Sequence, residues 1–259
     1  MTTQIRITHD LRDFTRIDLR GAGDIHLTQG QDFSFAIIAD KQMHEIITTE
    51  IVDETLIIGF EKSQMSIHSS SKIIYEVTMP LIAGIRIAGG GSLKCERIGG
   101  KSFELDLPGG SNVNVGTIAV MDYTLRISGG AKIFTKQVQA SQVEIDAPGS
   151  VHMTIEKLDA DHLDMTIKGT ANIDLAGRVV SQNLSLYGVG NIKASELESK
   201  QASIRSSGLA NVTVLVHDAL DIVLSGAGQV RYYGNPNVKK RINGIGRIKH
   251  LGDAQVSFI

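Results

Sequence analysis

Glycine returns along most of this chain at intervals near 20 residues: Gly89, Gly109, Gly129, Gly169, Gly188, Gly208, Gly226 and Gly244, with Ala147 in the one gap. The same phrase surrounds each one: apolar, x, apolar, x, Gly, x, small, x, apolar, x, apolar or small. It is plainest from Leu105 to Val115 and from Leu184 to Ile192. A helical hairpin repeat needs about 33 residues or more. Apolar residues alternating on both sides of a turn instead describe short strands, two per repeat. The period therefore predicts an all-β chain, a right-handed parallel β-helix with coils of about 20 residues.

Ten copies in register, from Ile17 to His250, turn the chain into stacked columns. Two positions before the glycine stand Leu19, Ile87, Leu107, Ile127, Ile145, Ile167, Leu186, Ser206, Leu224 and Ile242. Four positions after it stand Ile25, Leu93, Val113, Ile133, Val151, Ile173, Ile192, Val212, Val230 and Ile248. Aliphatic residues stacked at the strand spacing fill a continuous core that no single repeat could bury alone. A third apolar stretch, at Ile118, Val138 and Leu158, points to a third short strand per coil. The glycine is read as a corner with positive φ, and the small residue two positions later (Gly91, Ser111, Ala131, Gly149, Ala171) as room for adjacent coils. Asn112, Asn172, Asn191, Asn211 and Gln229 follow as a structural amide column. Arg86, Asp106, Arg126 and Glu144 alternate in sign in successive coils and set register, and Asp174 beside Lys193 does the same elsewhere.

Residues 1–84 depart from the period and hold one repeat-like phrase, Ile17 to Leu27. Strand-like runs follow at Phe33–Ala39, Ile46–Val52, Leu56–Phe60 and Ile73–Thr78, with Asp53 and Glu54 as a hairpin turn. An open parallel stack needs protection of its end strands. The expected organisation is an N-terminal antiparallel β cap over 1–84, packed on the first coil, the parallel β-helix over 85–250, and a tail over 251–259. His68 to Lys72 reads as an exposed loop of the cap. At the other end Pro236 is expected to interrupt the stack, and Lys239, Lys240 and Arg241 to protect the last edge.

Composition narrows the partners. A net charge of −2 provides no general attraction to nucleic acid or anionic lipid. No apolar run approaches the roughly 20 residues of a membrane span, so no membrane insertion is expected. Cys95, the one cysteine, sits at an apolar position of its repeat and reads as a buried, inert thiol. The first residues, from Met1 to Arg6, do not form a signal peptide.

Several phrases carry a family resemblance. Phe14 to Ile17 leading to Gly21–Ile25, Tyr75–Pro80 before the first regular coil, Ser225–Val230, and Tyr232–Pro236 together resemble the head-GIN domain family. Its members are described as autotransporter adhesins, many of them envelope proteins of Bacteroidetes-like bacteria. The resemblance covers about residues 14–250 and implies a β-helical protein in the periplasm, at the cell surface or secreted, with a poorly defined role. It carries no catalytic residue onto this chain.

Enzymatic β-helices place carboxylates on one outward face across neighbouring coils. The richest set here, Glu156, Asp159, Asp161 and Asp164 with Glu196 and Glu198, reads as a solvated polar edge. His152 and Asp174 fall in one outward column and could pair. Metal-ligand spacings, phosphate loops and nucleophile elbows are missing, so no catalytic residue, metal or cofactor is assigned. The expected function is a non-catalytic surface binding or adhesion module for a glycan or a surface protein. The alternative is a carbohydrate-active lyase or hydrolase. A small homo-oligomer is compatible with this reading, whereas a self-assembling filament ranks third because both ends look capped. Tyr187 and Tyr233 are the candidate ligand-binding residues.

Overall fold

The computed structural model describes residues 4–61 and 72–253, most of them in strands. The N-terminal region runs β1 (Ile5–His9), β2 (Arg16–Leu19), β3 (Gly23–Gln29), β4 (Ser34–Ala39), α1 (Lys41–Ile46), β5 (Ile47–Val52), β6 (Thr55–Phe60) and β7 (Ile74–Met79). The coils follow as β8 (Gly84–Ile87), β9 (Gly90–Gly99), β10 (Ser102–Asp106), β11 (Gly110–Ala119), β12 (Asp122–Arg126) and β13 (Gly130–Ala147). They continue as β14 (Ser150–Ile167), β15 (Thr170–Leu186), β16 (Val189–Ser206), β17 (Leu209–Leu224), β18 (Gln229–Tyr233), β19 (Asn237–Ile242) and β20 (Arg247–His250).

Each coil pairs in parallel with the next, which makes the chain a β-solenoid with three sheet faces. One face stacks Phe103, Tyr123, Val143 and Leu163 inward. A second stacks Ile25, Leu93, Val113, Ile133, Met153 and Ile173. The third stacks Ile98, Ile118, Val138 and Leu158, which confirms the third strand. All of these side chains are buried, and fully burying each one contributes about 1.5–3 kcal/mol. The rings of Phe103 and Tyr123 stack with centroids 5.8 Å apart.

The glycine column is complete, and Gly149, not Ala147, fills the apparent gap. Ser150 lies beside Gly130, and the Gly149 N–H donates to the Ile127 carbonyl in the coil before. One coil therefore sits two residues away from the expected register. Met153 stands beside Ile133 where Val151 was expected, and Ala147 beside Ile167 where Ile145 was expected. Side chains alternate between faces, so a shift of two leaves every residue on its expected side. Ile145 and Val151 remain buried. Val151 occupies the position expected to be small, beside Ala131 and Ala171.

Close approach, and not positive φ, explains the glycines. The positive-φ glycines among the described residues are Gly23, Gly177, Gly234 and Gly252, none in the column. A Cβ on any column glycine from Gly89 to Gly244 would fall closer than 3.0 Å to the carbonyl oxygen of the column glycine one coil earlier.

The shift also rearranges two outward pairs. Asp146, not Glu144, follows Arg126 in the charge column. Arg86 bridges Asp18 at 3.3 Å and Asp106 at 3.0 Å, and Arg126 turns to Glu104 at 3.3 Å. Asp174 and Lys193 pair as expected, at 3.4 Å.

The N-terminal strands do not merely pack on the first coil; they extend its sheets. β6 pairs in parallel with β2, and β7 with β3. Strand direction then reverses: β4 and β5 pair antiparallel with β7 and β6, and β1 pairs antiparallel with β4. β1 and the short α1 have no counterpart in the sequence reading. Asp40 caps α1 by accepting from the Met43 N–H at 2.8 Å, but six residues are too few to display a helical period. Of the expected loop at His68–Lys72, all but Lys72 lies outside the described residues. Asp53 and Glu54 turn the β5–β6 hairpin with φ of 47° and 58°, a conformation that strains ordinary residues. Replacing the pair with Asn-Gly is expected to raise stability by about 1 kcal/mol, read as a higher chemical-denaturation midpoint.

Pro236 does not interrupt the stack. It lies in the corner between β18 and β19, both of which pair in parallel with β17. One polar chain crosses the core: Gln182 Nε2 donates to Ser199 Oγ, which donates to the Leu215 carbonyl, both at 2.9 Å. Gln182 Oε1 is buried without a partner. Replacing Gln182 by Leu with Ser199 retained is expected to change stability by no more than about 1 kcal/mol in thermal unfolding, because the unpartnered Oε1 leaves with the side chain while Ser199 keeps its bond to the Leu215 carbonyl.

Candidate functional site

The surface feature with the least structural justification is an apolar ridge along the glycine corner. The residue after the column glycine is Gly90, Gly110, Gly130, Ser150 and Thr170 in the earlier coils, then Val189 and Leu209, which stack on Thr170. Ala227 and Ile245 hold the same place after Gly226 and Gly244. Tyr187 flanks Gly188 on the other side. Tyr187 is 56% exposed, Val189 51%, Leu209 56% and Ile245 85%. The tight corner holds its backbone close to the previous coil, so side chains leaving it have no inner space to enter and project into solvent.

Tyr233, the other candidate from sequence, is half-buried beside Gly234, at a different corner of the coil. The fold does not bring the two tyrosines onto one ridge. Val189, Leu209 and Ile245 were missed because each sits directly after the glycine, at the one position of the corner for which the repeat specifies no residue type. Their signal was available as the change from glycine and hydroxyl residues to aliphatics in the last coils.

The acidic set separates. Asp159 takes two hydrogen bonds from Arg178, at 3.0 and 2.9 Å, and this holds its carboxyl below the usual range. Glu198 lies 3.7 Å from His217. Asp164 stands in another outward column, accepts from Asn183 at 2.8 Å, and neighbours Glu144 in the adjacent coil. Glu144 and Asp164 line a shallow groove with Asp122, Asp146 and Lys168. His152 does not pair with Asp174: the register places it beside Asn172, whose Nδ2 lies 3.1 Å from His152 Nδ1. In the amide column Asn172, Asn191, Asn211 and Gln229 do stack in successive coils. His162 Nδ1 and Ser181 Oγ lie 2.7 Å apart on the surface. Cys95 is buried, and burial pushes its thiol up to about 11. Among the described residues no group of three or more His, Cys, Asp or Glu could hold a metal ion, and no helix is long and apolar enough to cross a membrane.

Solved structures share this architecture. A "putative adhesin" from Parabacteroides distasonis aligns with a TM-score of 0.72 at 19% identity, covering 96% of this chain and 98% of that one. A "putative adhesin" from Parabacteroides merdae aligns with a TM-score of 0.69 at 19% identity, covering 96% of each chain. A "putative lipid binding protein" from Parabacteroides distasonis aligns with a TM-score of 0.67 at 18% identity, covering 96% of each chain. No curated protein matches the sequence. The family described as "Putative auto-transporter adhesin, head GIN domain" matches residues 13–136 and again 123–236, which together span most of the repeat, and the chain belongs to that family.

Proposed function

We propose that the protein is a non-catalytic binding module of the bacterial surface or periplasm, and that the ridge from Tyr187 to Ile245 meets a protein partner. The observation that carries this reading is the run of exposed apolar side chains on one corner of the last coils. Such a run is costly in water and is a mark of interaction sites. Aliphatic side chains with one tyrosine suit the apolar core of a protein contact better than a sugar platform. Membership of an adhesin family supports a surface role.

Binding is tested on an array of extracellular-matrix proteins, with a glycan array and phospholipid vesicles in parallel. Saturable binding to a matrix protein is expected, with Tyr187→Ser combined with Leu209→Ser weakening it by about tenfold or more. Stability should stay within about 0.5 kcal/mol, because both side chains are exposed. Binding that survives the double variant, or that is confined to glycans or vesicles, overturns the reading. Tyr233→Ser in the same assay tests a second contact at the neighbouring corner.

A carbohydrate-active enzyme is the second reading, favoured by one observation: Glu144 and Asp164 are carboxylates of adjacent coils in one groove. Release of sugar products from a polysaccharide panel, abolished by Glu144→Gln and by Asp164→Asn, would support it. No release across the panel rejects it.

A further inference from the structure

The two ends of the solenoid stop in different ways. At the N-terminal end strand direction reverses before the last edges, β5 on one sheet and β1 on another. At the C-terminal end β19 and β20 run parallel to the coils before them, and among the described residues their outer edges have no partner strand. β5 and β19 are the opposite edges of a single sheet.

Their charges are opposite. β5 carries Glu50, with Glu45 before it and the Asp53–Glu54 turn after it; β19 carries Lys239, Lys240 and Arg241. The outward column that runs through Asp18, Arg86, Asp106, Arg126 and Asp146 begins at Glu50, with Ile57 between, and ends at Arg241 after Thr166, Ser185, Arg205 and Val223. Within the stack Arg86 is answered by Asp18 and Asp106 on the neighbouring strands. Among the described residues, Glu50, Lys239 and Arg241 at the ends take part in no ion pair, although Lys239 stands beside Asp221 of β17. Charged edges repel edges of their own sign. That repulsion forbids β5 from meeting β5 and β19 from meeting β19, and leaves the unlike pair as the attractive one.

We propose that the protein associates head to tail with a second copy of itself, with β19 of one protomer pairing antiparallel with β5 of the next. Arg241 directly, and Lys239 diagonally, then face Glu50 across the junction, an unlike pair at column ends that are bordered within each protomer by Val223 and Ile57. Ile242, Ile51 and Val52, which are 45%, 36% and 45% exposed, contribute apolar area at the two edges. Lys240 occupies an inward column that holds Ile222, Ile204 and Leu184 in the coils before it. Its ammonium prevents the core from closing dry across the junction and keeps the contact reversible. Such an interface is heterologous and does not close, so it builds linear chains that present the Tyr187 ridge repeatedly.

Sedimentation velocity over rising protein concentration tests this, at about 20 mM and about 500 mM salt. The average mass should climb with concentration at low salt and return to monomer at high salt. Glu50→Arg alone should abolish the climb, as should Lys239→Glu with Arg241→Glu. Combining all three should restore it, and circular dichroism confirms that each variant is folded. A monomer at every concentration in low salt, a mass that stops at a closed dimer, or association indifferent to the reversals would overturn the proposal. Should one single-end variant fail to fold, reversal at the other end decides the question alone.

Discussion

Gly169→Ala is expected to lower the stability of the folded chain by about 3 kcal/mol or more, and Gly130→Ala to leave it within about 1 kcal/mol. Both substitutions add one methyl group to a corner of the same solenoid. At Gly169 the methyl would overlap the carbonyl oxygen of Gly149 and crowd that of Pro148, so two coils must separate along a corner where backbone meets backbone. Rigid backbone on both sides leaves no side chain to swing away. At Gly130, one residue beyond the corner, an added Cβ meets nothing within 4 Å, and the small loss of unfolded-state freedom favours alanine. Denaturant unfolding followed by circular dichroism reads the difference as a shift in midpoint. Equal midpoints for the two variants would refute the close-approach account of the column.

The second large effect is alkaline unfolding. Burial pushes the Cys95 thiol up to about 11 and raises the Tyr75 and Tyr123 hydroxyls above their ordinary value of 10.0. Each group keeps its proton in the folded chain at a pH where the unfolded chain releases it. Their contribution to stability is therefore fully present below about pH 9 and is lost as pH rises, through about 9 to 11 for Cys95 and above 10 for the tyrosines. At about 1.4 kcal/mol per unit of displacement, Cys95 alone removes on the order of 2–3 kcal/mol. Thermal midpoints measured from pH 7 to 11 should fall steeply above pH 9. Tyr123→Phe retains the ring that stacks on Phe103 and removes one of the three ionisations, so its decline should be shallower. A decline as steep as that of the unmodified protein would count against buried ionisation as the cause. Cys95 should also resist alkylation at pH 8 until the chain unfolds, because it is both protonated and enclosed.

Much of the architecture was legible in sequence because a solenoid repeats its demands. Leu93, Val113 and Ile133 report one inward column, and Ile118, Val138 and Leu158 a second, each visible as soon as the glycines are aligned. Non-repeated structure was legible only in part. The hairpin at Asp53 and Glu54 is local and was found, whereas β1 and α1 are defined by β4 and by a single cap, and neither has a period to display. The candidate site followed the same division. Tyr187 was identifiable as an outward aromatic, but its grouping with Val189, Leu209 and Ile245 depends on four coils being stacked in the correct register.

The glycine period and the alternation of apolar residues determined, without any coordinates, that this chain stacks parallel strands around an aliphatic core. Period-2 alternation states which face a residue occupies, and that information survives a shift of two. It cannot state which residue lies above which. That choice between Ala147 and Gly149 was made by the corner, where a carbonyl oxygen of one coil occupies the space a Cβ of the next would need. Only the tertiary structure records it, and with it the replacement of Glu144 by Asp146 in the charge column and of Asp174 by Asn172 beside His152. The placement of Glu50 and Arg241 at the two ends of one column was likewise decided by the fold, because strand reversal in the cap brings to an edge residues that no repeat announces.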